Sequence, residues 1–360
     1  MASPEGRRRA PRADRGDRAT IEDVAALAGV SVATVSRTLR GLANVAEPTR
    51  VRVQSAAESL NFRPDPHASR LAAGRSRTIG VAVPSFGPWY FSQVVAGVES
   101  VMAAHGYDVL LFSVGSGADR GRVVRDWPLL SRRVDGLILV DLQLEPTEAE
   151  FLAAVHAQVV TVGEDHPGLG AVVIDNEAAA RLATQHLLNL GHRRIGLLGD
   201  SSGGPLQFSV PRLRRSGFHA AMRDAGIELR PDLEVDAGFT VAGGREATAG
   251  LLARPEPPTA IFAMSDEMAF GALRAVRDQG LRVPQDVSVV GIDDHELSDV
   301  LALTTVRQPV ADAGALAAQA LLGAFDGTEL EQLVLPTALM VRGSTGPAPQ
   351  TKSTSGSVSS

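Results

Sequence analysis

Two aspartates, Asp293 and Asp294, stand directly behind an apolar run, Val287–Ile292, that reads as a buried strand. Ser265 and Asp266 stand in the same place behind Ala260–Ala263. Arg212 and Arg214 open a helical segment ahead of Gly217 and Phe218, and Phe239 lies in a Gly-containing loop after a strand read at Asp232–Val235. Such groups can hold a polyhydroxyl ligand. An Asp and an Arg grip adjacent hydroxyls through charge-assisted hydrogen bonds, and an aromatic ring covers the apolar side of a sugar. The alternative is structural: the acids cap helices and the arginines stay in surface ion pairs. No covalent chemistry is legible. No serine sits in a G-x-S-x-G elbow. His186 and His192 are not spaced i, i+4 and have no thiol nearby, because the chain has no cysteine. VGSGADRG, residues 114–121, contains G-x-G but not the full dinucleotide fingerprint. No catalytic set, metal or cofactor is expected.

A second recognition chemistry lies in residues 20–40, TIEDVAALAGVSVATVSRTLR. Ile21, Val24, Ala25 and Ala28 have helical spacing. Thr20 can cap this helix, with Asp23 completing a capping box, and Gly29 can end it. Ser31 can cap a second helix, Val32–Leu39, that buries Val35 and Leu39. Its exposed side carries Val32, Ala33, Thr34, Ser36 and Arg37. Short side chains with one long cation let a helix approach base edges in the major groove. Any αα-hairpin at a domain edge is the plainer alternative.

The elements around these residues follow from the same pattern. Residues 44–63 read as a third helix, with Pro48 in its first turn and Val51, Val53, Ala57 and Leu60 as its apolar side. Arg50 and Arg52 can reach phosphates. Residues 64–77 hold a segment, His67–Ala73, too short to be a stable helix alone. A segment that folds only against DNA suits a minor-groove wedge, with Leu71 as the protruding residue; a plain linker is the alternative. From residue 79, strands Ile79–Pro84, Val109–Phe112, Leu137–Val140, Val159–Val162 and Val172–Ile174 alternate with helices such as Phe91–Ala104 and Asn176–Asn189. The alternation resumes with Arg194–Gly199, Ala260–Ala263 and Val287–Ile292. Alternating β and α elements imply parallel sheets covered by helices, here in two series with a cleft between.

The charge is unevenly placed. Residues 1–78 hold 14 Arg and 8 Asp or Glu, a net +6, whereas the whole chain is −6. A basic head on an acidic body suits a protein that holds a polyanion at one end. No apolar run is long enough for a membrane span and no secretory signal is visible, so a cytoplasmic protein is expected.

The run VAALAGVSVATVSRTL resembles the DNA-binding headpiece of the lactose/galactose repressor family (LacI/GalR). Further blocks resemble the family in order, among them IGVAVPSF (79–86), VDGLILV (134–140), AIFAMSDEMAFGALRAV (260–276), VPQDVSVVGIDD (283–294) and LTTVRQPV (303–310), so the resemblance covers roughly residues 20–345. It implies an all-α helix-turn-helix headpiece plus an α/β periplasmic-binding-protein-like core of two parallel-sheet subdomains. The function implied is transcriptional regulation, most often repression, by a homodimer that reads a pseudo-palindromic operator DNA and answers to a small-molecule effector, a carbohydrate or its derivative. The implied DNA contacts are Thr20, Ser31, Val32, Ala33, Thr34, Ser36, Arg37, Arg50, His67 and Leu71. The implied effector contacts are Asp293 first and Arg214 second, then Phe91, Phe239, Ser265 and Asp266. Relatives often carry an acid at or near Gly163; here Glu164 and Asp165 are nearby, and their role is open. The organisation expected is an Arg-rich disordered arm (1–19), the headpiece (20–63), a hinge helix and linker (64–78), the effector and dimerisation domain (79–345) and a disordered tail (346–360). No leucine heptad occurs in the tail, so no tetramer-forming helix is expected. A solute-binding module without a DNA role and an α/β enzyme are the competing classes.

Overall fold

The computed structural model describes residues 19–39, 41, 45–62, 76–115, 122–155, 157–200 and 209–349. The expected arm, His67, Leu71 and most of the G-x-G loop lie outside the described residues. The chain divides into two compact units, with the boundary after Ser76.

The described residues of the first unit form three helices, α1 (Ile21–Ala28), α2 (Val32–Leu39) and α3 (Glu47–Ser59). Thr20 and Asp23 form a reciprocal capping box on α1. Gly29, at φ 65°, closes α1 with the Val30 amide bonded back to the Ala25 carbonyl, so a residue tolerant of the left-handed region is needed there. Val24, Val35 and Val53, one from each helix, are fully buried and form the centre of the small core. Two expectations are adjusted. Leu39 packs against this core half-buried, and Thr38 is buried beside it, because the Thr38 hydroxyl bonds back to the Thr34 carbonyl and needs no water. Val51 is exposed; α3 buries Val53, Ala56 and Ala57 instead.

The second unit holds two six-stranded sheets. The first has the order β11-β5-β4-β3-β1-β2 and is parallel throughout. Its strands are β1 (Thr78–Val83), β2 (Asp108–Ser113), β3 (Gly136–Val140), β4 (Val159–Val162), β5 (Gly170–Ile174) and β11 (Gln332–Leu335). The second has the order β12-β10-β9-β8-β6-β7, with only β12 antiparallel. Its strands are β6 (Ile195–Gly199), β7 (Glu234–Asp236), β8 (Ala260–Ala263), β9 (Ser288–Asp293), β10 (Thr304–Arg307) and β12 (Ala338–Met340). The strand expected at Asp232–Val235 begins two residues later, after a 3-10 turn at Pro231–Leu233.

Helix α4 (Trp89–Ala104) covers the first sheet, together with α5 (Pro146–Ala154). Helices α6 (Asn176–Asn189), α7 (Val210–Asp224), α8 (Val241–Leu252) and α9 (Asp266–Asp278) cover the second. The chain then returns: α10 (Val310–Phe325) packs on the first sheet and β11 becomes its edge. The expected tail also starts too early. Gly346 and Ala348 are hydrogen-bonded to Ser288 and Leu190, so the ordered core runs past residue 345. Among the described residues, no helix is long and apolar enough to cross a membrane.

Helices α4 and α10 meet backbone to backbone. A Cβ on Gly97 would lie 2.0 Å from the Ala311 carbonyl oxygen, and one on Gly314 would lie 2.1 Å from that of Val94. Gly97→Ala must therefore push the helices apart. We expect a loss of about 1–3 kcal/mol, read from the urea midpoint of the full chain. An unchanged midpoint would show that this contact is not tight.

Candidate ligand cleft and nucleic-acid interface

A cavity of about 320 Å³ opens between the carboxyl ends of the two sheets. Phe91, Arg214, Phe239, Ser265 and Asp293 all line it, brought from α4, α7, the loops behind β7 and β8, and the end of β9. Asp293 ends β9 at φ 143° and is followed by Asp294 at φ 58°, so two consecutive non-glycine residues occupy the positive-φ region. Strain of this kind is kept where the aim of a side chain matters. Asp293 is 6% exposed. One carboxylate oxygen accepts from the Gln308 amide at 2.6 Å and the other from the Asp266 backbone N–H at 3.2 Å. Arg214 is fixed behind it: Nε donates to Asn176 Oδ1 at 2.8 Å and Nη1 donates to the Met264 carbonyl. Burial lowers the pKa of the guanidinium, and the charge of Asp293 works against that shift. Phe239 holds φ 52° in its loop, and Ser265 caps α9 through the Met268 N–H.

Asp266 does not line the cavity, which corrects its expected place among the ligand contacts. It is fully buried below Asp293 and accepts hydrogen bonds from Thr305 Oγ1 (2.6 Å), Ser298 Oγ (2.7 Å) and the His295 N–H (2.9 Å). Its carboxylate is thus used up in pinning β10 and the segment after β9 to the start of α9. Asp294 likewise turns away, to Arg307 and Arg342, each at 2.6 Å. Arg212 is exposed. Glu164 is buried and accepts from the Ser209 N–H at 2.5 Å, tying the loop after β4 to the start of α7, while Asp165 accepts from Gln332. His192 is buried against Thr259, Ser288 and the Gly346 carbonyl.

Sequence reading missed three cavity residues of consequence: Tyr90, Asp141 and Gln308. Asp141 stands directly behind β3, the same signature that drew attention to Asp293. Trp89, at the start of α4, meets His295, behind β9, with ring centroids 4.5 Å apart and planes tilted by 34°.

Burial raises Asp293 to about 6, and burial together with the Asp293 charge raises Asp266 to about 7. Asp141, Glu164 and Glu267 are raised in the same direction by burial. The folded protein therefore holds protons that the unfolded chain, titrating near 4, releases. The stability this gives is lost as pH rises through the folded values. Burial lowers His186, His192 and His295, and their opposite effect sets in as pH falls below ~7.5, where the unfolded chain begins to take up protons. Comparison of wild type with Asp266→Asn without ligand isolates the carboxylate: the stability of wild type relative to the variant should fall as pH rises from ~4.5 to ~7.5, with a slope up to about 1.4 kcal/mol per pH unit. A difference that does not change with pH would contradict the raised Asp266 value.

In the first unit, Val32, Ala33 and Arg37 are exposed on α2 and Thr34 and Ser36 are half-exposed. Ser31 Oγ accepts from the Thr34 N–H at 3.2 Å and lies 2.9 Å from the Thr34 hydroxyl. Thr20 is occupied by its cap. Arg50 pairs with Glu47 one helical turn back, at 3.3 Å. The outer face of α2 is therefore open, small in side-chain volume and cationic at one point.

Comparison with known proteins joins the two units. Residues 20–65 match the model for bacterial regulatory proteins of the lacI family, and residues 184–345 match a periplasmic binding protein-like domain. The chain is 35% identical to the HTH-type transcriptional repressor CytR of Escherichia coli (strain K12) over 342 residues, covering 92% of this chain and 97% of that protein. A structure of the lac repressor dimer bound to operator and the anti-inducer ONPF superposes with a TM-score of 0.79 at 32% identity, covering 92% of this chain and all of that one. A transcriptional regulator CelR–cellobiose complex superposes with a TM-score of 0.64 at 33% identity, covering 91% and 100%.

Proposed function

The chain belongs to the lacI family of bacterial regulatory proteins, and on that premise we propose that it is a sequence-specific DNA-binding repressor controlled by a carbohydrate-type effector. It is a regulator and not an enzyme. One observation carries the reading: a helix-turn-helix with an open recognition face is joined in one chain to a cavity lined by Asp293, Arg214 and Phe239. The solved relatives support both halves, one holding operator DNA and one holding cellobiose.

In this reading a homodimer presents two α2 helices to the half-sites of a pseudo-palindromic operator. Val32 and Ala33 meet base edges, and Arg37 and Arg50 meet phosphate or base. For Leu71 as a minor-groove wedge and His67 as a contact, support comes from the sequence alone. The effector lies between the subdomains with its hydroxyls on Asp293 and Arg214 and its apolar side against Phe239. A ligand that prefers one arrangement by about 3 kcal/mol shifts the equilibrium more than ~100-fold.

Selection of random duplex DNA by the purified protein, at fixed salt, tests this function. Enrichment of a pseudo-palindrome is expected. On the selected site, Arg37→Ala should weaken binding to all sequences and reduce the salt slope by about 1. Val32→Ala should instead change which base is preferred. Salt-sensitive binding that enriches no sequence, with and without candidate sugars, would count against a sequence-specific regulator.

A further inference from the structure

The cleft holds a carboxylate that the hydroxyl grip of Asp293 and Arg214 leaves unexplained. Asp141 is 5% exposed, lines the cavity, and has one oxygen, Oδ1, with no hydrogen-bond partner. Its backbone sits at φ 46°, a conformation unfavourable for a non-glycine residue, just past the end of β3. The oxygen fills the space above Gly163: a Cβ at that position would lie 1.7 Å from Asp141 Oδ1 and 3.4 Å from the Tyr90 hydroxyl. Gly163 thus gives up its own side chain to a carboxylate reaching over from the neighbouring strand.

No cation among the described residues is hydrogen-bonded to Asp141 Oδ1. The Arg214 charge acts on both Asp293 and Asp141, but its guanidinium is bonded through two nitrogens to Asn176 and Met264. Arg212 is exposed and lies near Glu164. The ring shown beside Asp141 is that of Tyr90, and the cavity wall adds a second acid, Glu267, beside Asp293. A buried carboxylate with a free oxygen next to an aromatic ring suits a ligand ammonium: the anion supplies the countercharge and the ring adds cation–π attraction. A neutral hydroxyl can be met by the protonated acid that burial favours, whereas an ammonium holds Asp141 ionised and gains the full charge–charge attraction of a dry site.

We propose that the effector of this protein is an amine-bearing carbohydrate or glycoside, whose ammonium group sits on Asp141 beside Tyr90 while its hydroxyls sit on Asp293 and Arg214. The inference rests on the cleft being the effector site.

The test uses the full chain and pairs of compounds that differ by one amine: glucosamine and glucose, galactosamine and galactose, 3′-amino-3′-deoxyadenosine and adenosine. Thermal shift finds the binders and calorimetry measures them. At least one amine is expected to bind ~10-fold or more tighter than its neutral partner. Asp141→Asn should erase that preference, so that each amine and its neutral partner bind within about twofold of one another, with Asp141→Ser as the second variant should the amide not fold. Neutral partners that bind as tightly, or a preference that survives Asp141→Asn, overturn the proposal and keep the cleft as an effector site. A panel in which no amine binds overturns it as well. Any neutral binder in that panel still keeps the cleft reading; silence from both sets removes it.

Discussion

In Asp293→Ala, effector affinity falls by ~100-fold or more, while operator affinity in the absence of effector stays within about threefold. The physical basis is the isolation of this carboxylate. It is held in a strained backbone position, it accepts one hydrogen bond from Gln308 and one from the Asp266 amide, and its remaining capacity faces the cavity. Charge-assisted hydrogen bonds to two ligand hydroxyls contribute about 1.5–3 kcal/mol each, so their loss reaches two orders of magnitude. The Arg214 guanidinium also loses its facing anion and stays buried, which adds to the cost. The headpiece is a separate compact unit, so its fold does not depend on this residue. Calorimetry with the wild-type effector and a titration of the selected operator measure the two quantities. Loss of operator binding in a well-folded Asp293→Ala dimer would show that the two roles are not separable.

Asp266→Ala, one helix start away, is expected to do the opposite: it costs the core about 3–5 kcal/mol, the sum of three buried donors at about 1–3 kcal/mol each less partial relaxation. The Asp266 carboxylate is the shared acceptor for Thr305, Ser298 and the His295 amide, all buried. Removing it leaves these donors unsatisfied. In a unit of this size the melting temperature should drop by roughly 10 °C. Residual folded protein should bind ligand with wild-type stoichiometry. A drop of less than about 3 °C would mean that Asp266 does not anchor the loop behind β9.

These two aspartates show where sequence reading stops. Both follow an apolar strand, and both read as ligand contacts. Their difference is directional: Asp293 is the last residue of β9 and points into the cleft, whereas Asp266 begins α9 and points into the layer beneath. The same rule of polar residues behind strands extends to Asp141, which follows β3, yet attention to the second half of the chain passed it over. Tyr90 and Gln308 carry no pattern that separates them from packing residues.

The βα alternation was legible because doubly covered parallel strands read as unbroken apolar runs, as in Leu137–Val140 and Val159–Val162. The last strands were not. Thr304–Arg307 is rich in threonine, Gln332–Leu335 is an exposed edge and Ala338–Met340 is three residues long. The return of α10 and β11 to the first sheet is a long-range pairing with no local signature. In the headpiece, the caps at Thr20, Gly29 and Ser31 are local hydrogen-bond chemistry and were readable. The burial of Thr38 beside Leu39 depends on packing against neighbouring helices.

Coupling between the cleft and DNA is the central claim, and one titration tests it most directly. The selected operator is titrated with the full chain at fixed near-physiological salt, first alone and then with each carbohydrate or amino sugar that binds the cleft by calorimetry. At least one such ligand is predicted to change the operator Kd by tenfold or more, in wild type but not in Asp293→Ala. Ligands that saturate the cleft and leave the operator Kd unmoved would contradict it.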